Sequence, residues 1–177
     1  MAKVNWTVDA THSGIDFTVR HMMFAKVRGS FNAFEAQVEA DPEDLTTANI
    51  RVAIDAASVD TNNDDRDGHL KSADFFDVEN HAQIVFQSTS IKKLDENEYA
   101  VTGDVTLRGV TKSETFTVNF EGSGKDPWGN VKVGFSGSGA IKRSDYGLTW
   151  NAALETGGVL VGDEIKLNIE VQALQQA

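Results

Sequence analysis

The feature that most constrains this chain is its two-residue alternation. From Ile15 to Arg20 the odd positions are apolar and the even ones polar. The same rhythm returns in Phe34, Ala36 and Val38, in Ile50, Val52 and Ile54, in Ile84 and Phe86, and in Tyr99, Val101, Val105 and Leu107. It continues through Phe116, Val118 and Phe120, through Val131, Val133 and Phe135, and through Ile165, Leu167, Ile169 and Val171. A period of two puts every second side chain on one face of a strand. With the segments around Trp6 and Trp150, the chain reads as about eight to ten strands, spaced as in a sandwich or barrel. Each stripe has one apolar and one wet face, the pattern of an antiparallel sheet around a single interior. The chain is therefore all-β.

The breaks between stripes carry turn chemistry. Asp41-Pro42-Glu43-Asp44, Asp95-Glu96-Asn97 and Asp126-Pro127-Trp128-Gly129-Asn130 are loop signals, and Arg108-Gly109 reads as a turn. One segment departs from alternation. Around Asp64-Asp65-Arg66-Asp67-Gly68-His69-Leu70, acidic residues follow Thr61 and Asn62, either of which can cap a helix. This predicts one short helix over about 62–73, with Leu70, Ala73 and Phe76 on one face. No linker or repeat divides the sequence, and 177 residues fit a single domain spanning 1–177.

Charge and composition exclude several functions. The 27 Asp and Glu outnumber the 16 Lys and Arg, for a net charge of −11. That balance opposes nucleic-acid binding and repels anionic membrane surfaces. No stretch approaches the length of a membrane span, and the first residues contain no apolar leader, so the expectation is a cytoplasmic chain without stable membrane insertion. There is no cysteine, hence no disulfide or thiolate site. The four histidines are not paired at metal-ligand spacing, and no metal or cofactor is expected. Asn63, Asp65, Asp67, Gly68 and Asp74 follow calcium-loop spacing, but Asn63 and Asp74 are weaker ligands at the ends and Arg66 and Lys71 add positive charge. Asp9, His12 and Ser13 suggest a hydrolytic triad, yet no nucleophile elbow accompanies them, and local bonding that shapes a strand start is the expected role.

Small residues fall in phase with the inward stripes: Gly103 between Val101 and Val105, and Gly137 and Gly139 after Phe135. They either leave interior volume unfilled or mark bends at barrel corners. The remaining inward positions are apolar, including Phe17, Val19, Phe31, Phe34, Ile54, Phe86, Leu107 and Phe116, while Phe24, Phe75 and Phe76 are placed to close an end. Such a lining suits an apolar guest with few hydrogen-bonding groups.

Six ordered blocks then make a family pattern. They are Asp9 to Ser13 with Phe17-Thr18-Val19-Arg20-His21; Val27-Arg28-Gly29-Ser30-Phe31; Ser58 to Thr61 with Arg66 to Asp77; Gly103 to Thr111; Trp128-Gly129; and Arg143 to Trp150 with Leu160 to Glu164. Together they resemble the YceI-like polyisoprenoid-binding family. The resemblance implies an extended, lipocalin-like antiparallel β-barrel of about eight strands, a long isoprenoid chain in its apolar tunnel, and a homodimer. The expected function is non-enzymatic: sequestering or carrying a polyprenyl phosphate or an isoprenoid quinone. The expected ligand-binding residues are Phe17, Val19, His21, Phe24, Phe31, Phe34, Ile54, Arg66, His69, Phe75, Phe76, Phe86, Leu107, Phe116, Phe135 and Trp150. His21, Arg66 and His69 would meet a polar head, with Arg108 and Arg143 as further candidate donors. The rival readings are a general scavenger of lipophilic compounds, an enzyme using a His–carboxylate pair, and a packed module that binds nothing.

Overall fold

The computed structural model describes residues 3–151, 154 and 160–176. Eleven strands and one α-helix follow in order: β1 (Val4–Val8), β2 (Gly14–His21), β3 (Ala25–Phe31), β4 (Phe34–Asp41), β5 (Asp44–Asp55), β6 (Val59–Asp60), α1 (Asp64–Lys71), β7 (Gln83–Asp95), β8 (Glu98–Leu107), β9 (Val110–Lys125), β10 (Val131–Lys142) and β11 (Val161–Gln175). All pairings are antiparallel. β11 pairs along one edge with β10, and along the other with β2 and then β1. β1 and β2 therefore lie end to end as one stave, broken by a 3-10 turn at Ala10–His12. β3 and β4 form a second broken stave, and β5 and β6 a third, interrupted at Ala56–Ser58. Counted by staves, the sheet is a closed eight-stranded up-and-down barrel.

Register brings the apolar positions into rings. Phe34 lies opposite Ile54 and Ile54 opposite Ile84; Val52 lies opposite Phe86 and Phe86 opposite Val105. Ring pairs tie the staves together, with centroids 5.5 Å apart for Phe17 and Phe31 and 5.4 Å for Phe120 and Phe135 on neighbouring staves, and 5.7 Å for Phe86 and Phe116 on the two staves that flank β8. Such contacts add to burial across a sheet.

The inward glycines work differently from the void that their spacing suggests. A methyl group at Gly29 would overlap the Phe17 ring, one at Gly103 the Phe86 ring, and one at Gly139 the Phe116 ring. Each ring lies over the backbone of the glycine on the adjacent stave. Of the three in-phase glycines, only Gly137 faces the open interior, with neighbours at 3.6–3.7 Å from a Cβ placed there.

The three predicted Asp-led turns join β4 to β5, β7 to β8 and β9 to β10 at one end of the barrel. Aspartates lock these and other turns. Asp41 accepts from the Glu43 amide at 2.9 Å, Asp44 from the Thr46 amide at 3.1 Å, and Asp126 from the amides of Trp128 and Asn130 at 2.9 Å each. Asp9 locks the break between β1 and β2 by accepting from Thr11 and meeting His12 Nδ1 at 2.7 Å. Much of the acidity thus serves backbone geometry.

The helix is shorter than the sequence suggests. Its cap is Asn63 rather than Thr61 or Asn62, with the Asn63 side chain accepting from the Arg66 amide at 2.9 Å. Asn62 takes a left-handed φ of 61° that turns the chain just before the cap. At the other end Ser72 is extended and its hydroxyl donates to the His69 carbonyl at 2.6 Å. Because the helix stops at Lys71, Ala73 leaves the expected face and is exposed, while Leu70 and Phe76 still point inward. Trp150 is not in a strand. It follows a 3-10 turn over Arg143–Tyr146 in an irregular segment.

Arg143 holds that segment. It is buried, and its guanidinium donates to the carbonyls of Leu148 at 3.0 Å, Trp150 at 3.2 Å, Gly162 at 2.9 Å and Val161 at 3.4 Å. Asp145, two residues on, is exposed, because the 3-10 turn sends the two side chains apart. Asp163 is the acidic group that acts on Arg143, and it also accepts from the Ser144 amide and hydroxyl at 2.9 and 2.7 Å. Burial lowers the Arg143 pKa from its ordinary value, but a guanidinium starts so high that it stays charged.

Two predictions follow from these locks. Arg143→Leu leaves several buried carbonyls without a donor and is expected to cost about 3 kcal/mol or more, read from urea unfolding. Arg143→Lys keeps the charge but not the fork, so it should fall between the variant and the wild type. Separately, Asp9 is held at about 2, chiefly by the Thr11 hydroxyl and then by His12. Asp44, Asp60, Asp126 and Asp163 are also lowered, mainly by hydrogen bonds that they accept. Their folded pKa values lie below the unfolded ones, so this stabilisation is complete above the unfolded value and is lost as pH falls through the folded values. The midpoint of thermal unfolding should therefore drop as pH falls from about 4 to about 2, and Asp9→Asn should flatten part of that limb.

A lumenal apolar cavity as the candidate functional site

The barrel encloses a cavity of about 1140 Å³, and every stave contributes to its wall. The inward halves of the alternating stripes supply that wall. Among the residues singled out from sequence, Phe17, Val19, His21, Phe31, Phe34, Ile54, Arg66, His69, Phe75, Phe76, Phe86, Leu107, Phe116, Phe135 and Trp150 all line it. Phe24 does not. It sits on the turn between β2 and β3 and is 79% exposed, because the turn projects beyond the barrel end. Sequence reasoning left out Trp6, Ile15, Tyr99 and Ile141, which also face the lumen. Their in-phase positions at the starts and ends of stripes carried the signal.

Charge is confined to the two ends. Glu43, Asp44, Lys93 and Glu96 stand at the hairpin end. Arg20, His21, Asp65, Arg66, His69 and Arg143 stand at the end covered by α1. Between them the wall is apolar, apart from Ser136.

Most of the polar groups at the helix end build the closure itself. Arg66 donates through Nε to the Thr61 hydroxyl at 2.8 Å and through Nη2 to the Thr61 carbonyl at 2.7 Å. Thr61 in turn donates to Asp67 from its amide and its hydroxyl, at 2.9 and 2.5 Å. This chain ties α1 to β6. His69 Nε2 lies 2.9 Å from Asp74, and the His69 ring stands edge-on to Phe75 and Trp150, with centroids 5.0 and 4.7 Å away. The Arg143 guanidinium is 5.8 Å from the centre of the Phe75 ring. Phe75, Trp150 and His69 thus form an aromatic stopper with cationic flanks. Arg108 donates to the Phe75 carbonyl at 3.1 Å from outside the lumen. Deeper in the same end, Tyr146 is fully buried. Burial and the neighbouring Glu114 carboxylate push its hydroxyl pKa up, while burial raises Glu114 itself.

The alternative chemistries are not assembled. His12 and Asp9 pair on the outside, and the Ser13 hydroxyl bonds the backbone of Gln172 instead of His12. The oxygens of the calcium-like spacing diverge: Asn63 caps the helix, Asp67 meets Thr61 and Asp74 meets His69. Among the described residues, no group of three or more His, Asp and Glu is placed to hold a metal.

This architecture has relatives. The model of the YceI-like domain matches residues 6–173. A UPF0312 protein of Staphylococcus aureus is 40% identical over 169 residues, covering 95% of this chain and 96% of its own. BcnA of Burkholderia cenocepacia superposes with a TM-score of 0.82 at 27% identity, over 93% of this chain and 98% of that one. A Campylobacter jejuni YceI protein superposes with a TM-score of 0.77 at 33% identity, over 89% and 90% of the two chains. A Saccharophagus degradans domain shares the fold with a TM-score of 0.70 at 15% identity, over 98% and 99%. With the family pattern running through nearly every stave, and with a closed, hollow barrel as its result, this chain belongs to the YceI-like family.

Proposed function

We propose that the protein binds a long-chain isoprenoid lipid, of the polyprenyl phosphate or isoprenoid quinone type, in its lumen and sequesters or carries it without chemical change. The observation that carries this reading is a long apolar cavity whose charges stand only at its ends. β9 has 16 residues, which at about 3.3 Å per residue span roughly 50 Å. A tilt of about 40° leaves a barrel roughly 40 Å tall. A wall of that height suits a chain rather than a compact molecule. Each methylene removed from water contributes about 0.8 kcal/mol, so ten to fifteen carbons offer roughly 8–12 kcal/mol before ordering costs. The S. degradans domain with this fold is described as polyisoprenoid-binding, which points the same way.

The scavenger reading draws on the same wall, since an apolar lining with few polar groups selects weakly among apolar chains. Extraction of the natively purified protein followed by mass spectrometry separates the two. The expected result is one stoichiometric isoprenoid species, and a mixture of unrelated lipids would replace the proposal with scavenging. Gly137 offers a direct test of the lumen. Nothing lies closer than 3.6 Å to a Cβ placed there, so Gly137→Phe should fold while its ring fills the tunnel. We expect uptake of a long polyprenol to fall at least tenfold, with shorter ones affected less. Unchanged uptake of the long chain by the folded variant would remove the lumen as the binding site.

A further inference from the structure

The turn between β2 and β3 holds three consecutive apolar residues in the open: Met22, Met23 and Phe24 are 40%, 52% and 79% exposed. Met22 and Met23 also take left-handed φ values of 55° and 68°, a conformation that glycine or asparagine adopts with less strain. Bulky apolar side chains are therefore kept at an exposed tip where neither burial nor turn geometry calls for them. The flanks are as distinctive. From Phe17 to Phe34 the sequence has no Asp or Glu, although the whole chain carries a net charge of −11. In that stretch Arg20, Lys26 and Arg28 are exposed, and none forms an ion pair with a described residue. Arg20, His21 and Val27, at the base of the turn, line the lumen.

We propose that this turn docks the barrel on the surface of an anionic lipid bilayer. The apex would enter the boundary between headgroups and acyl chains, and the basic collar would meet lipid phosphates. The layering fits a bilayer better than a protein partner. The cations Arg20, Lys26 and Arg28 stand on the strands just below the apolar apex, the order of layers that a headgroup–acyl boundary presents. The exposed acids at the same end, Asp64, Asp65 and Asp74 around α1 and Asp163 and Glu164 at the start of β11, oppose that surface, so the contact is confined to the turn and its three cations. The sequence-wide charge that argues against membrane attraction is locally reversed here. That lipid enters or leaves at this end rests on the lumen reading above; the docking itself does not.

The experiment is flotation of the full chain with vesicles of phosphatidylcholine, alone and mixed equally with phosphatidylglycerol. Binding is expected to the mixed vesicles and to weaken with added salt. Phe24→Ser should reduce it about tenfold, and so should Lys26→Glu combined with Arg28→Glu. Trp128→Ser is the control, since Trp128 is 82% exposed on the hairpin at the opposite end; it should bind as wild type. Failure of wild type to float, wild-type binding by Phe24→Ser, or loss confined to Trp128→Ser would each overturn the proposal. Sedimentation in solution completes the test: if Phe24→Ser dissolves a dimer and leaves flotation intact, the tip belongs to a second copy and the proposal fails. Uptake of a fluorescent polyprenol delivered from solvent is measured in parallel. Uptake without flotation rejects docking and keeps the lumen reading, whereas flotation without uptake does the reverse.

Discussion

The structure depends on the closure of the sheet at β11. This strand ladders with β10 from Leu174 to Glu164, and on its other edge it takes β2 and then β1. Without that second edge, the first and last staves would each expose a row of unpaired amides and carbonyls, the usual origin of edge-to-edge association. Closure also gives each stripe its meaning, because a strand in a closed sheet has one face inside and one outside. The partners lie far apart in sequence, so this ladder forms only after a long loop has been ordered. The breaks in the first three staves let the chain change direction without leaving the sheet, and Asp9 and Asp55 lock two of those breaks by accepting amides two residues ahead.

A closed barrel with an open interior has no packed centre, so its cohesion lies in the wall and the ends. The glycines show how the wall accomplishes this. By lying over Gly29, Gly103 and Gly139, the rings of Phe17, Phe86 and Phe116 cover backbone and stay against the sheet rather than crossing the lumen. Space in the interior thus comes from stowing large residues, and small ones are the means. At the helix end, Phe75, Leu107, Phe116, Tyr146 and Leu148 make a conventional buried cluster. At the other end Trp6, Ala40 and Ala173 make a smaller one.

The alternation made the strands and their inward faces legible, since burial of a single face leaves the same mark wherever it occurs. The candidate wall was legible for that reason, and Phe24 was misplaced for the opposite one: a phenylalanine in a turn carries no periodicity to say which way it faces. β3 escaped the stripes because its inward positions include Gly29, a residue without a hydrophobic signal. The helix was legible by composition but not by extent, because its bounds depend on the backbone turn at Asn62 and on the Ser72 hydroxyl. The place of Trp150 was hidden too. Its segment is organised by the buried Arg143, and nothing in the local sequence distinguishes an arginine that gathers carbonyls from one in solvent.

The same limit applies to charge. A net of −11 averages over residues with unlike work. Aspartates at Asp9, Asp41, Asp44, Asp60 and Asp126 each accept amides and fix a turn, so their charge is incidental to geometry. Arginines at the helix end divide similarly: Arg66 and Arg143 are bound to carbonyls and close the barrel, whereas Arg20 stands exposed at the base of the projecting turn. The lumen is therefore polar along its axis: Glu43, Asp44 and Glu96 outweigh Lys93 at the hairpin end, and Arg20, Arg66 and Arg143 outweigh Asp65 at the helix end. A long apolar guest with an anionic head meets unequal ends, and the tail is indifferent to which way it points. Under the proposed function, an anionic head would therefore decide the orientation of the guest, and the field of the two ends would favour the head beside the helix.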